Sequence, residues 1–168
     1  MSTDEHKKSA PKKVSLGILT VSTTRTQETD RSGRWICRQA KKEGHPVVHY
    51  GIIPDDPATI SKTLLDIIRE HQLQAVLLTG GTGVSRQDVT IEAVKPLLKK
   101  ELTAFGPLFA QLSFEQIDSA ALMSRATAGI IDNTVVFCIP GSLAACKLAC
   151  NSLIFPEIGH LVHHIQQG

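Results

Sequence analysis

The chain has 168 residues, a net charge of +2 and four cysteines. That length suits one domain able to bury roughly two-thirds of its unfolded surface, and so small a net charge gives no argument for nucleic acid or an anionic membrane as partner. No apolar stretch approaches the ~20 residues of a membrane span, and the polar N-terminus is not a signal peptide.

Residues 1–13 are polar and basic, with Lys7, Lys8, Lys12 and Lys13. They are expected to form a disordered tail, with a single domain over 14–168. Residues 14–22, VSLGILTVS, are rich in β-branched and apolar side chains and read as a buried first strand. A polar loop follows, then Ser32-Gly33 and a helix through about Glu43, with Ser32 expected as its N-cap and Gly44 as its stop. Residues 46–53 form the second strand. Asp56-Pro57 is a cap and first-position pair for a helix that puts Ile60, Leu64, Ile67, Ile68 and His71 on one side. That pairing leaves Asp55 unexplained at the carboxyl end of a strand, as a turn residue or as something more.

Residues 75–78 are a short apolar strand that breaks into Thr79-Gly80-Gly81-Thr82-Gly83. The glycines allow backbone angles and close approaches that a Cβ would block. Asp88 stands just before residues 89–94, which open a helix expected to run to about Lys100, with Pro96 predicting a kink or early stop. A strand, a glycine turn and a helix start set backbone N–H groups around a pocket that suits an anion. Neither G-x-x-x-x-G-K-[ST] nor G-x-G-x-x-G is present. A carboxylate at the rim of such a cradle points to a divalent cation between it and bound phosphates.

Three of the five phenylalanines, Phe105, Phe109 and Phe114, fall within 102–117 at spacings of short helices. They read as part core and part subunit interface. Residues 120–129 carry Arg125 in small, uncharged surroundings, either paired structurally or offered to an anionic ligand. Residues 134–139 form another strand, broken by Pro140-Gly141-Ser142, and Ser142 can cap a long apolar helix to about Phe155. Pro156 starts a final helix on which His160 and His163 share a face without a third metal ligand. Cys37, Cys138, Cys146 and Cys150 show no C-x-x-C spacing and read as reduced thiols, so a cytoplasmic protein is expected.

Strands alternating with amphipathic helices predict an α/β domain: a mostly parallel sheet with helices on both faces, in three layers. Ligands of such sheets bind at the carboxyl ends of strands, near a switch in strand order. The turns at 23–33, 54–56, 79–88 and 140–142 all fall at that end. There is no G-x-S-x-G elbow and no obvious Cys–His pair. Two carboxylates, several N–H-rich turns and one or two arginines remain, and these fit nucleotide phosphates with Mg²⁺.

The ordered set of TGGTG, D-V-T-x-E-A from Asp88, F-G-x-L-F from Phe105, LSFE from Leu112, M-S-R-A-x-A-G from Met123 and Pro140-Gly141-Ser142 resembles the MoaB/MogA family. These are the molybdopterin adenylyltransferases of molybdenum cofactor biosynthesis, and the similarity runs from about residue 14 to 162. The resemblance implies a homo-oligomer, either a trimer or a hexamer built as a dimer of trimers. It also implies Mg²⁺-ATP-dependent transfer of AMP to the terminal phosphate of molybdopterin, releasing pyrophosphate. By motif position it implies Asp55 and Asp88 as the catalytic and metal-holding pair. It further implies Thr79, Gly80, Gly81, Thr82, Gly83 and Thr90 around phosphate, and Asp30, Ser32 and Gly33 as a D-x-S-G binding loop. Ser124, Arg125, Pro140, Gly141 and Ser142 would then bind on the pterin side. Two positions depart from the family pattern: Thr23 follows Ser22 where Asp is usual, and Gln87 precedes Asp88 where Arg is usual, with Arg86 one step earlier. A non-catalytic oligomeric molybdopterin-binding paralogue, a carrier or scaffold, is the alternative function.

Overall fold

The computed structural model describes residues 13–167; apart from Lys13, the basic tail expected at the start lies outside them. Six strands, β1 (Leu16–Val21), β2 (Val47–Ile53), β3 (Ala75–Thr79), β4 (Lys100–Glu101), β5 (Thr127–Ile131) and β6 (Thr134–Ile139), form one sheet in the order β2-β1-β3-β6-β5-β4. The first four in that order run parallel, and β5 and β4 are added antiparallel. β1, β3 and β6 are buried along their whole length. Strands covered on both faces read as continuous apolar runs, which made them visible in the sequence.

Side-chain alternation divides the interior in two. Ala75 and Leu77 of β3 join Ile18, Phe137 and Ile139 under four helices: α1 (Arg31–Lys42), α4 (Phe105–Ile117), α5 (Leu143–Ala149) and α6 (Phe155–Gln167). Val76 and Leu78 face the other way, onto Leu64 and Ile67 of α2 (Pro57–His71) and Ala93 and Val94 of α3 (Thr90–Val94). The result is the expected three-layer α/β arrangement. No helix among the described residues is long and apolar enough to cross a membrane.

Several local readings change. The N-cap of α1 is Asp30, whose Oδ1 accepts the Gly33 N–H at 3.0 Å. Ser32 sits inside the first turn and sends its hydroxyl elsewhere. Gly44, with φ +88°, does follow the C-cap, and Asp56 does cap α2 ahead of Pro57. The helix after Asp88 ends at Val94 and tightens into a 3₁₀ turn, Lys95–Leu97, around Pro96, which has no N–H to continue the helical ladder. Residues 105–117 form one helix rather than several, burying Phe105 and Phe109 and exposing Phe114. The last two helices are continuous through a π turn, Cys150–Ile154, just before Pro156. A wider turn there accommodates the bond that proline cannot make.

Candidate active site at the carboxyl ends of β1, β3 and β6

β1 has β2 on one side and β3 on the other, so the strand order reverses between β1 and β3. A cleft of about 430 Å³ opens at their carboxyl ends, and Thr23, Asp55, Gly81, Asp88, Ser124 and Gly141 contribute to its wall. This is the crevice that an open parallel sheet offers a ligand.

The glycine turn is shaped by contacts no other residue would tolerate. Gly80 has φ +103° and Gly81 φ +63°. A Cβ on Gly80 would run into the Val21 carbonyl oxygen, and one on Gly81 into the Thr90 hydroxyl. Thr90 latches the turn from beneath: its Oγ1 donates to the Gly80 carbonyl at 2.8 Å and its N–H to Gly81 at 2.9 Å. Thr79 Oγ1 donates to the Pro140 carbonyl at 3.0 Å and so ties this turn to the next. Both threonines are fully buried, so they hold the loops rather than line the cleft. Thr82 differs, since its buried hydroxyl has no hydrogen-bond partner among the described residues. An orphaned buried donor normally carries a desolvation cost, and here it belongs to the cradle itself.

Asp55 and Asp88 arrive from different crossovers and flank this turn. Asp55 Oδ2 accepts the Thr23 N–H at 2.9 Å, and its Oδ1 lies 3.1 Å from where a Cβ of Gly81 would stand. Because a backbone amide makes the Thr23 contact, the missing aspartate at that position does not remove it. Asp88 Oδ2 accepts both the N–H and the hydroxyl of Ser85, at 2.8 and 2.6 Å. The Ser85 hydroxyl, ahead of the Ser85 and Gly83 amides and the more distant Arg125 charge, holds the Asp88 carboxyl below its ordinary value against the opposing effect of burial. Gly83 lets Asp88 approach, since a Cβ there would stand 2.8 Å from its Oδ2. Gln87, and not Arg86, joins the cleft wall.

Other expected site residues lie behind that wall. Arg125 is the paired arginine of the two alternatives: Nη1 and Nη2 donate to the Glu92 carboxylate at 2.6 and 3.3 Å. Its Nε donates to the carbonyls of Thr82 and Gly83 at 3.0 and 2.9 Å, which makes it a prop for the glycine turn. Asp30 is fully buried and accepts from Thr20 Oγ1, Tyr50 OH and Gly33 N. Burial, then the bond to Asp30, pushes the Tyr50 hydroxyl up, so it remains a donor. A Cβ on Gly33 would collide with Asp30 and Thr20. Ser32 Oγ donates to the Gly141 carbonyl at 2.8 Å, and Ser142 Oγ caps α5 by accepting the Ala145 N–H at 3.2 Å. The D-x-S-G loop is therefore stitched to the Pro140-Gly141-Ser142 turn.

Arg25 was not singled out by the sequence reading. Its Nη2 donates to the Gly141 carbonyl at 3.0 Å and Nη1 lies 3.6 Å from Asp30 Oδ1, while the side chain, about a third exposed, borders the cleft. The available signal was its position, as the first arginine of the polar loop directly following the first strand. The histidine pairing also differs: His160 Nε2 faces His164 Nε2 at 2.9 Å, and His163 meets Gln167. Among the described residues no three His, Cys, Asp or Glu side chains form a metal cluster. A cation held by Asp55 and Asp88 would complete its shell from phosphate oxygens and water, as Mg²⁺ commonly does. Burial raises the thiols of Cys138, Cys146 and Cys150, and that of Cys37 to about 11, so none offers a resting thiolate.

A family profile described as a probable molybdopterin binding domain matches residues 17–160. The chain is 48% identical to molybdenum cofactor biosynthesis protein B of Bacillus subtilis over 168 residues, covering 99% of each. It is 46% identical to the protein of the same name from Bacillus cereus, again over 99% of each. It superposes on a crystal structure of molybdenum cofactor biosynthesis protein B with a TM-score of 0.91 at 44% identity, covering 95% of this chain and 99% of that one. The tungsten cofactor synthesizing protein MoaB of Pyrococcus furiosus gives 0.84 at 38% identity, with 94% and 99% covered. MogA, at 20% identity and a TM-score of 0.81 over 90% and 99% of the two chains, shares the fold. The chain belongs to the MoaB/MogA family of molybdopterin-binding domains.

Proposed function

We propose that this chain acts in molybdenum cofactor biosynthesis as a molybdopterin adenylyltransferase. One observation carries the reading: Asp55 and Asp88, from separate crossovers, flank a glycine turn whose buried Thr82 hydroxyl has no partner among the described residues. The relatives named above bear on the pathway. The donor set bears on the chemistry.

The attacking group is an oxygen of the terminal phosphate of molybdopterin, already anionic, so no general base is required. Its bond to the α-phosphorus of ATP forms as the α–β bridging P–O bond breaks, and the electron pair leaves with pyrophosphate. Asp55 and Asp88 would hold Mg²⁺, which supplies charge neutralisation at the phosphates when bound. The Gly80 amide is taken by the Ile139 carbonyl at 3.0 Å, so the amides of residues 81–83 and the Thr82 hydroxyl would meet the phosphate chain. Arg125 keeps that turn in shape from behind and adds a positive charge close to it.

Asp55→Asn and Asp88→Asn should each lower AMP transfer about 10²–10³-fold, the scale of losing one transition-state stabiliser. Pyrophosphate release from Mg²⁺-ATP, with and without molybdopterin, is the measurement. Rates close to wild type in both variants would overturn the assignment. A second reading, the pterin carrier or scaffold, draws on Gln87, a neutral side chain in the cleft beside Asp88. Saturable pterin binding by the wild type without pyrophosphate release would favour it. We extend the proposal to assembly with further copies of the chain, as a trimer or a hexamer. Exposed Leu108, Phe114, Ile117, Leu122 and Met123 support that extension.

A further inference from the structure

Beside the cleft lies a second hollow of about 520 Å³, between the start of α1 and α5, and three of its wall residues are the cations Arg25, Arg31 and Lys147. No carboxylate lines it among the described residues. Nor does any described carboxylate lie within ion-pair distance of Arg31 or Lys147. Asp30, the N-cap of α1, is fully buried and lies 3.6 Å from Arg25 Nη1.

Arg25 serves the fold through Asp30 and the Gly141 carbonyl, but Arg31 brings it no such gain. Arg31 is the first residue of α1, where a cation opposes the helix dipole, and that turn carries no acid. Arg34 and Arg38 continue the basic face of α1, and the groove runs on past Trp35, whose ring centre is 6.0 Å from Lys147 Nζ. Like charges gathered around a concave space repel one another, and a compact anion is what would relieve them. Arginine forks suit the oxygens of a phosphoryl group. Arg25 borders both hollows, so a chain of phosphates could pass from one to the other beside it.

We propose that the hollow walled by Arg25, Arg31 and Lys147 is a second phosphoryl-anion site, adjoining the cleft through Arg25. Two ligands could bring that chemistry: the polyphosphate end of the nucleotide, with the pyrophosphate it releases, or the phosphate monoester of the pterin. The site itself stands without the adenylyl-transfer reading; only the choice between these two sources rests on it.

Trp35 is the only tryptophan and reports on the groove. The full chain is titrated with inorganic pyrophosphate, and separately with glycerol 3-phosphate as a monoester, without divalent cations and at low salt. Trp35 fluorescence and calorimetry are followed together. A saturable response to at least one probe, weakened tenfold or more by Arg31→Ala with Lys147→Ala and regained with Arg31→Lys, is expected. Added salt should weaken it. A response to pyrophosphate alone assigns the nucleotide side, and one to the monoester alone the pterin side. No saturable binding of either probe, or equal binding by a double variant with wild-type circular dichroism, would overturn the site. Asp55→Asn should leave metal-free binding here unchanged while lowering AMP transfer, so the two proposals fail separately.

Discussion

Gly80 shows how far one residue can set a site. A methyl group there would meet the Val21 carbonyl oxygen and would have to adopt φ +103°. Strain of that kind costs about 1–3 kcal/mol, and the turn would have to move to relieve it. Gly80→Ala should therefore lower the unfolding midpoint and weaken nucleotide binding together. Thermal unfolding and a nucleotide titration of the same variant check both. His45 makes a different point. Its Nδ1 accepts the Val14 N–H at 3.1 Å, and burial lowers its pKa below 6.5. The folded state keeps the ring neutral, so as pH falls through 6.5 the unfolded chain takes up the proton first and stability drops. The loss continues until the lowered folded value is reached. His49, lowered first by burial and then by His71, has the same sign, so the informative comparison is with His45→Gln. Urea midpoints between pH 7 and 5 should fall less steeply in that variant than in the wild type.

Elements differ in how much one side chain supports them. Ser142 caps α5 from an exposed position, and Ser142→Ala should cost about 1 kcal/mol. Asp30 caps α1 while also accepting from Thr20 and Tyr50 at full burial. Asp30→Ala strands the buried Thr20 and Gly33 donors and the half-buried Tyr50 hydroxyl, and should cost about 3 kcal/mol or more. Denaturant unfolding of the two variants would rank them, and a reversed order would contradict this account of the caps. The same contrast governs what the chain discloses in advance. β1, β3 and β6 are legible because burial on both faces writes them as apolar runs, and α2 because its stripe and its Asp-Pro start agree. β4 is two charged residues and carries no pattern. β5 hides behind Ala128 and Gly129, poor strand formers, and the glycine is needed because the β4 backbone passes too close for a Cβ there. At the site, Asp55 stood out as a strand-end aspartate that the helix cap did not use, and Asp88 as a carboxylate at the rim of a glycine turn. Arg25 did not, since its role is set by Gly141, 116 residues away. Arg125 could be read either way until Glu92, 33 residues earlier in the chain, was placed beside it.

At the scale of the whole molecule, the parallel sheet brings the turns that line the cleft to one end, and the apolar surface reaches that same end. The 3₁₀ segment Asp118–Met123 follows α4 directly and leaves Leu122 86% and Met123 59% exposed. Phe114 and Ile117, in the last turns of α4, are also open to solvent. Met123 belongs to the cleft wall as well. A monomer that exposes this much apolar surface beside its own site is unusual, and a second copy packed there would cover it. Phe114→Glu combined with Leu122→Glu places two charges in that contact and leaves both cores untouched. Sedimentation should show an assembled wild type and a smaller species for the double variant, while circular dichroism stays the same. Because the patch runs into the cleft through Met123, AMP transfer should fall along with the assembly. A wild type that sediments as a monomer would remove the quaternary proposal. A dissociated variant with full AMP transfer would show that each cleft is complete within one chain.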